Sequence, residues 1–233
     1  MAARDWEALA PGVLRRRLPG WDATVGVVAG ATKVLLIDSG STLPEGARIA
    51  AQVRALLGRP VTDLALTHAH FDHVLGTASF PGARLHGPAG IGAALTEGRE
   101  ELREDAIRQG VPHRAAAKAA AALRAPDHLV ADVHTLDLGD REVRLVNLGA
   151  AHSAQDLAVV VPGHPALVFC GDLVEESGPP QAGPDAHPAH WPAALDRLLD
   201  LGGEDARYVP GHGAVVDAAF VRRQRTELAH RFG

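Results

Sequence analysis

Four side chains that can bind a metal ion stand close together in the sequence: His68, His70, Asp72 and His73. Imidazole nitrogens and carboxylate oxygens are common ligands of zinc and related ions, and ligands packed this densely can fill most of two coordination shells. The group directly follows the apolar stretch 63–66, which is typical of a strand. A turn at the exit of that strand would let the side chains diverge, so that one short loop could serve two ions.

Three further candidate ligands follow at wide intervals. His152, Asp172 and His212 each come at the end of an apolar run. One cluster could arise by chance in a chain with 13 histidines, but ligands supplied from several strand ends are what an open metal cleft requires. The mixture of nitrogen and oxygen donors suits zinc and also iron or manganese.

The elements that must position these residues are short strands and helices. Apolar segments predict a hairpin of strands over 24–29 and 33–37, and a further strand over 61–66. Apolar residues at helical spacing predict a helix over 44–57 that stops at Gly58. The second half repeats this pattern, with strands over 142–148, 157–161, 166–170 and 207–209 and a helix over 191–201. Two such halves predict two facing sheets with helices outside them.

Residues 98–125 differ from the rest of the chain. They are first charged and then rich in alanine, which predicts a helical insertion, with Pro112 separating two helices. Two interpretations stay open: a surface pair of helices packed on a sheet, or a lid over the site.

Together these motifs resemble those of the metallo-β-lactamase-fold hydrolase superfamily. The matching pieces are the run 68–73, the segment 152–157, the pair Gly171-Asp172 and the segment 210–213, in family order between residues 38 and 213. The resemblance implies a four-layer αββα sandwich with metals in a cleft at one edge of the sheets. It implies that one ion is held by His68, His70 and His152, a second by Asp72, His73 and His212, with Asp172 bridging them.

The chemistry that the resemblance implies is hydrolysis at two metal ions, expected to be zinc. A hydroxide shared by the ions would attack a carbonyl-type ester, thioester, lactone or amide. Asp72 is the expected proton carrier, and Asp38 is the expected partner that orients a ligating histidine.

Other branches of the same fold set the alternatives. True β-lactamases typically lack an aspartate at the position of Asp172, and lactonases use a tyrosine in the loop after it, whereas Tyr208 precedes Pro210-Gly211 here. A different reaction class is represented by persulfide dioxygenases, which hold one iron with two histidines and one aspartate; His68, His152 and Asp172 could supply that set.

Composition limits the remaining possibilities. A length of 233 residues, with 46% apolar and 22% charged residues, predicts a single globular domain. The resemblance implies that this is a metallo-β-lactamase-like domain over 1–233. A net charge of −5 argues against nucleic acid as a partner, and the basic runs 15–17 and 222–225 are expected to face solvent. Neither a secretory segment nor an apolar run near the about 20 residues that span a bilayer is evident, so we expect a cytoplasmic protein with a small-molecule substrate and no membrane partner. The oligomeric state stays open.

Overall fold

Twelve strands form two sheets within residues 5–232, which the computed structural model describes. The first four residues and Gly233 of the predicted domain lie outside this range. The first sheet has the spatial order β1 to β7, with strands Glu7–Ala10, Val13–Arg17, Thr24–Ala29, Val34–Ile37, Asp63–Ala65, Arg84–Pro88 and His128–Val130. The second sheet has the order β12-β11-β10-β9-β8, with β8 at Val133–Asp137, β9 at Glu142–Gly149, β10 at Asp156–Val161, β11 at Leu167–Glu175 and β12 at Arg207–His212.

Helices cover the outer faces of both sheets. They are α1 at Leu43–Leu57, α2 at Phe71–Val74, α3 at Ile91–Thr96, α4 at Arg99–Arg108, α5 at His113–Ala121, α6 at Trp191–Gly202 and α7 at Ala218–Phe232. Short 3-10 helices lie at Thr77–Ser79 and Pro188–His190. The predicted helix pair in the insertion corresponds to α4 and α5, and Pro112 directly precedes α5.

Alternation along the strands builds the layers, because successive strand side chains point to opposite faces. In β3, Val27 packs with helix residues such as Ile49 of α1, whereas its neighbour Val28 packs between the sheets with Leu145 of β9. On the far side, Val160 of β10 packs against Leu195 of α6. These three apolar clusters separate the four layers of the fold, which are a helix layer, two sheets and a second helix layer, as the sequence predicts.

The prediction that the basic run 15–17 faces solvent is wrong for Arg15. This side chain is buried, with 5% of the residue exposed, and its guanidinium donates to the Glu7 carboxylate at 2.7 Å. It also donates to the carbonyl oxygen of Gly213 at 3.0 Å, next to the candidate ligand His212. In the run 222–225, Gln224 is buried, whereas Arg222 and Arg223 are exposed as predicted.

None of the helices within residues 5–232 combines the length and apolar character needed to cross a membrane.

Candidate metal centre

The seven candidate ligands come from separate segments that end at one edge of the paired sheets. The run 68–73 follows β5 and includes the short helix α2, while His152 lies in the loop between β9 and β10. Asp172 lies within β11, which continues to Glu175 rather than ending at the predicted residue 170, and His212 ends β12. Strands β11 and β12 therefore carry Asp172 and His212, while the segments that follow β5 and β9 carry the other five ligands and leave one side open.

The first group of donors consists of His68, His70, His152 and Asp172, which offer ligand atoms that all lie within 4.8 Å of one another. His70 Nδ1 lies 3.0 Å from His152 Nε2. Asp172 Oδ2 lies 3.6 Å from His68 Nε2 and 3.5 Å from His152 Nε2. This spacing is compatible with one ion held by nitrogen and oxygen ligands.

The second group consists of Asp72, His73 and His212. Asp72 Oδ2 lies 3.4 Å from His212 Nε2 and 3.7 Å from His73 Nε2. Asp172 reaches this group as well, because its Oδ1 lies 3.2 Å from His73 Nε2 and its Oδ2 lies 3.2 Å from His212 Nε2. The Asp172 carboxylate thus contacts both donor groups.

Two buried atoms at the junction of these groups have no hydrogen-bond partner. They are His68 Nε2 and Asp172 Oδ1. An unpaired buried polar atom is unfavourable by about 1 to 3 kcal/mol, so the great majority of such atoms have partners. A metal ion would satisfy both atoms, and the histidine and aspartate donor set fits zinc.

Asp38 links two of the candidate histidines. Its Oδ2 accepts hydrogen bonds from His73 Nδ1 and from Thr67 Oγ1, each at 2.8 Å. The Thr67 hydroxyl oxygen in turn lies 2.9 Å from His68 Nδ1 and can accept a hydrogen bond from it. One buried carboxylate therefore fixes the rings of His68 and His73 with their Nε2 atoms turned toward the site.

The other three histidines also have a partner for the second ring nitrogen. His152 Nδ1 lies 3.1 Å from the carbonyl oxygen of Gln181, and His212 Nδ1 lies 2.8 Å from that of Trp21. His70 Nε2 lies 3.3 Å from both carboxylate oxygens of Asp185. These contacts set the tautomer that leaves a lone pair facing the site.

Two glycines permit the close packing that places these groups. A Cβ on Gly76 would meet the carbonyl oxygen of Ser39 at 1.9 Å, so only glycine lets the end of α2 pack against the loop that carries Asp38. A Cβ on Gly211 would meet Asp172 Oδ1 at 1.8 Å. The glycine before His212 therefore leaves room for the carboxylate that contacts both donor groups.

The His152 loop is held by a buried carboxylate of its own. Asp156 Oδ2 accepts hydrogen bonds from the backbone N–H groups of Ala151 and Ser153, each at 3.1 Å. Its Oδ1 accepts one from Ser153 Oγ at 2.9 Å. These contacts tie the loop that carries His152 to its own backbone.

Burial and neighbouring charges tune the ionisation of the site. Burial lowers the pKa of His68 well below its ordinary value and lowers the pKa of His152 to about 4, which keeps both rings in the neutral form that binds metal. Burial opposes charge on His212 too, but Asp172 raises the pKa of His212 to about 9. Burial alone would raise the pKa of Asp172, yet the nearby rings of His73, His68 and His212 hold it well below its ordinary value. The ionised Asp172 carboxylate makes this a site that favours a cation.

The ligand groups form the floor of a cleft with a volume of about 670 Å³. Trp21 and Phe71 form an apolar wall, with ring centres 5.3 Å apart and nearly perpendicular rings. Helix α4 forms another wall, through Glu101, Leu102, Asp105 and Arg108. The first helix of the insertion therefore borders the cleft, and it is not confined to a remote surface.

Sequence reasoning assigned no role to some residues that lie near the ligands. Asp185 and Thr67 contact candidate histidines, and Glu175 offers an oxygen within 4.8 Å of ligand atoms of Asp172 and His212. Thr67 could have been noticed from its place beside His68. Asp185 stands in a loop with no local pattern, so only folding brings it to His70.

Known proteins share this architecture. The family model for the metallo-beta-lactamase superfamily matches residues 18–212. The metallo-beta-lactamase FIM-1 from Pseudomonas aeruginosa, solved in a mono-zinc form, is similar with 20% identity and a TM-score of 0.73, covering 97% of this chain and 95% of that one.

Two further metallo-beta-lactamase structures are similar. The one from Pontibacter korlensis has 19% identity and a TM-score of 0.75, covering 96% of this chain and 98% of that one. The one from Hirschia baltica has 16% identity and a TM-score of 0.69, covering 96% of each chain. At these identities the structural likeness confirms the predicted fold alone, while the match over 18–212 shows that the chain belongs to the metallo-β-lactamase superfamily.

Proposed function

We propose that this protein is a binuclear metal-dependent hydrolase that uses zinc. The observation that carries the proposal is the convergence of both donor groups on the Asp172 carboxylate, at the floor of an open cleft. A purely structural zinc site is usually closed by four protein ligands, whereas a catalytic site keeps an open position. Zinc ions held there would supply a water of lowered pKa and positive charge to stabilise a developing oxyanion.

In this proposal the protein side chains hold fixed positions during the reaction. His68, His70, His152 and Asp172 hold one ion, and Asp72, His73, His212 and Asp172 hold the other. Asp38 keeps the rings of His68 and His73 in place, which limits reorganisation as charge develops.

Asp72 is the proposed proton carrier. It lines the cleft, and its Oδ2 lies 3.4 Å from His212 Nε2, so its carboxylate stands between the ligand groups and the substrate space. In that place it can accept the proton released when water attacks and give it to the leaving group as the tetrahedral intermediate breaks down.

We infer that the substrate is a small molecule with a carbonyl-type ester, thioester, lactone or amide. A cleft of about 670 Å³ with an apolar wall is typical of a site that binds a small molecule. The lactonase branch is the less supported one, because Tyr208 is fully buried and its hydroxyl donates to the carbonyl oxygen of Gly203 at 2.9 Å, which keeps it from the cleft.

Metal content per chain tests the proposal first. Protein expressed without added metal and purified without chelator should contain about two zinc ions per chain, measured by plasma mass spectrometry. Chelation should abolish hydrolysis across a panel of chromogenic thioesters, lactones, β-lactams and phosphodiesters, and Zn²⁺ should restore it.

Two results would contradict the proposal. Full hydrolysis by the chelated protein would exclude a metal-dependent reaction. About one iron per chain, with oxygen uptake on a persulfide substrate, would instead support the mononuclear dioxygenase alternative with His68, His152 and Asp172 as ligands.

A further inference from the structure

A second group of histidines lies where the edges of the two sheets meet. His86 of β6 pairs in register with His128 of the edge strand β7, while His134 lies on β8, the edge strand of the other sheet. The ring centre of His86 lies 5.6 Å from that of His128 and 5.7 Å from that of His134, and the ring centres of His128 and His134 are 4.0 Å apart. We call these three residues the edge histidine cluster; none of them lines the cleft.

His86 has a fully buried side chain with one unsatisfied atom. Its Nε2 lies 3.0 Å from Oδ1 of the buried Asp63, and its Nδ1 is buried without a hydrogen-bond partner. Burial works to raise the pKa of Asp63, but hydrogen bonds from His86 and Thr62 lower it below its ordinary value, so Asp63 is an ionised acceptor. Nε2 therefore carries the proton that the Asp63 carboxylate accepts, and Nδ1 is the ring nitrogen that has no partner.

That arrangement is the one found around ligating histidines in general. A carboxylate that accepts from one ring nitrogen fixes the ring and increases the basicity of the other nitrogen. A buried acceptor without a partner is unfavourable by about 1 to 3 kcal/mol, and it calls for a physical explanation. A cation at Nδ1 would provide one.

The two neighbouring rings can also act as metal ligands at neutral pH. His128 and His134 are partly buried. Burial, together with the nearby His86 ring and Arg84, lowers the pKa of His128 and His134 below the ordinary value. Both rings are therefore neutral near pH 7 and have a free lone pair.

The ring-centre distances of the edge cluster lie on either side of those in the candidate metal centre. There, the rings of His68, His70 and His152 have centres 4.6, 4.8 and 5.0 Å apart. Imidazoles bound to one zinc ion have centres about 5 Å apart, since each Zn–N bond is about 2.1 Å. The nitrogens of the edge cluster do not all lie within 4.8 Å of one another, so the rings of His128 and His134 must turn toward Nδ1 of His86. Both residues are partly exposed on edge strands, where packing constrains a side chain less than in the core.

We propose that the edge histidine cluster is a second metal site, which binds a borderline transition-metal ion such as Zn²⁺ through His86, His128 and His134. Imidazole ligands suit zinc, copper and nickel, and water can complete the coordination. Because two ligands belong to one sheet and the third to the other, the bound ion ties β6 and β7 to β8. An ion that binds the folded chain and not the unfolded one would raise the free energy of unfolding.

The test compares zinc binding by tag-free chains in equilibrium dialysis, with metal counted by plasma mass spectrometry. The variant His128→Gln/His134→Gln removes two ligands, and the control His113→Gln/His230→Gln removes two exposed histidines elsewhere. We expect the first variant to bind about one ion fewer than the wild type and to lose part of the zinc-dependent rise in Tm. The control should match the wild type in both. Equal zinc counts in all three proteins would overturn the proposal.

A measurement on the unmodified chain avoids any effect of substitution on folding. In protein labelled with ¹⁵N-histidine, Zn²⁺ should shift the Nδ1 resonance of His86 while Nε2 keeps its proton for Asp63. An Nδ1 resonance that stays unchanged at saturating Zn²⁺ would refute the site.

Discussion

The candidate metal centre and the edge histidine cluster use the same side chain under different constraints. All five histidines of the centre have a partner at the second ring nitrogen: Thr67 for His68, Asp185 for His70, Asp38 for His73, the Gln181 carbonyl for His152 and the Trp21 carbonyl for His212. In the edge cluster, His86 alone has such a partner among the described residues. The difference teaches that nearby histidines do not make a ready site. The groups behind them determine how far the nitrogens converge.

The largest effect is expected where one side chain contacts both donor groups. Asp172→Ala should reduce turnover by about 10³-fold or more, since several kcal/mol of transition-state stabilisation depend on the ions. Zinc content should fall with it, while circular dichroism should show a folded chain. The exposed Asp132 offers a matched control, and Asp132→Ala should keep full activity. An Asp172→Ala variant with normal turnover would refute the assigned role.

A second variant weakens the support of two histidines at once. Asp38 adopts a left-handed backbone conformation with a φ of 58°, which asparagine tolerates, so Asp38→Asn changes the carboxylate with little backbone strain. In Asp38, one carboxylate oxygen accepts from His73 Nδ1 and Thr67 Oγ1 while the other accepts from the Thr67 N–H. The asparagine amide has a single acceptor oxygen, so it cannot replace both. We expect zinc affinity to fall by about 100-fold, measured by competition with a chromogenic chelator.

The sequence predicted the centre better where its parts are adjacent in the chain. The run 68–73 could be recognised because four ligands stand together after a strand, and each distant ligand ends an apolar run. Asp185 could not be recognised, since it stands in a loop with no local pattern and only folding brings it to His70, 115 residues away. The three histidines of the edge cluster likewise share no sequence motif, because only strand pairing and sheet packing bring them together.

The same reasoning explains which elements were missed. The strands around the central hairpin were predicted because their residues are nearly all apolar. β1 and β2 are edge-side strands with charged and apolar residues mixed, and β7 has only three residues. In α7 the buried positions Ala218, Val221 and Leu228 have helical spacing but are diluted by charged residues. Short or largely polar elements depend on tertiary packing and have a weak local signal.

Asp156 tests whether loop anchoring matters as much as direct contact with a ligand. Asp156→Ala leaves the backbone N–H groups of Ala151 and Ser153 without their acceptor. We expect a loss of about 2 kcal/mol in the free energy of unfolding and about a tenfold loss of zinc affinity, because His152 is no longer held in place. Asp156→Asn retains one acceptor oxygen, so its stability and zinc affinity should lie between those of the wild type and the alanine variant. Unchanged zinc affinity in the alanine variant would show that the His152 loop holds itself.

Asp185 should have a smaller effect than Asp38. Its side chain is 42% exposed, and it contacts a single histidine at 3.3 Å, so solvent can replace much of what it provides. Asp185→Asn should lower zinc affinity by less than about tenfold. A loss equal to that of Asp38→Asn would mean that exposure does not weaken the orientation of His70.

The smallest effect on turnover is expected from the edge cluster. If the two groups of histidines are independent, His128→Gln/His134→Gln should change kcat/KM by less than about twofold, since effects of distant sites without shared partners usually add. The same variant should lose the stabilisation that zinc provides at the sheet edges. A parallel loss of turnover would mean that the position of β6 and β7 is transmitted to the ligand loop after β5, which pairs with β6 in the same sheet. The comparison would then be between two coupled sites, with the loosely held one controlling how well the firmly held one is aligned.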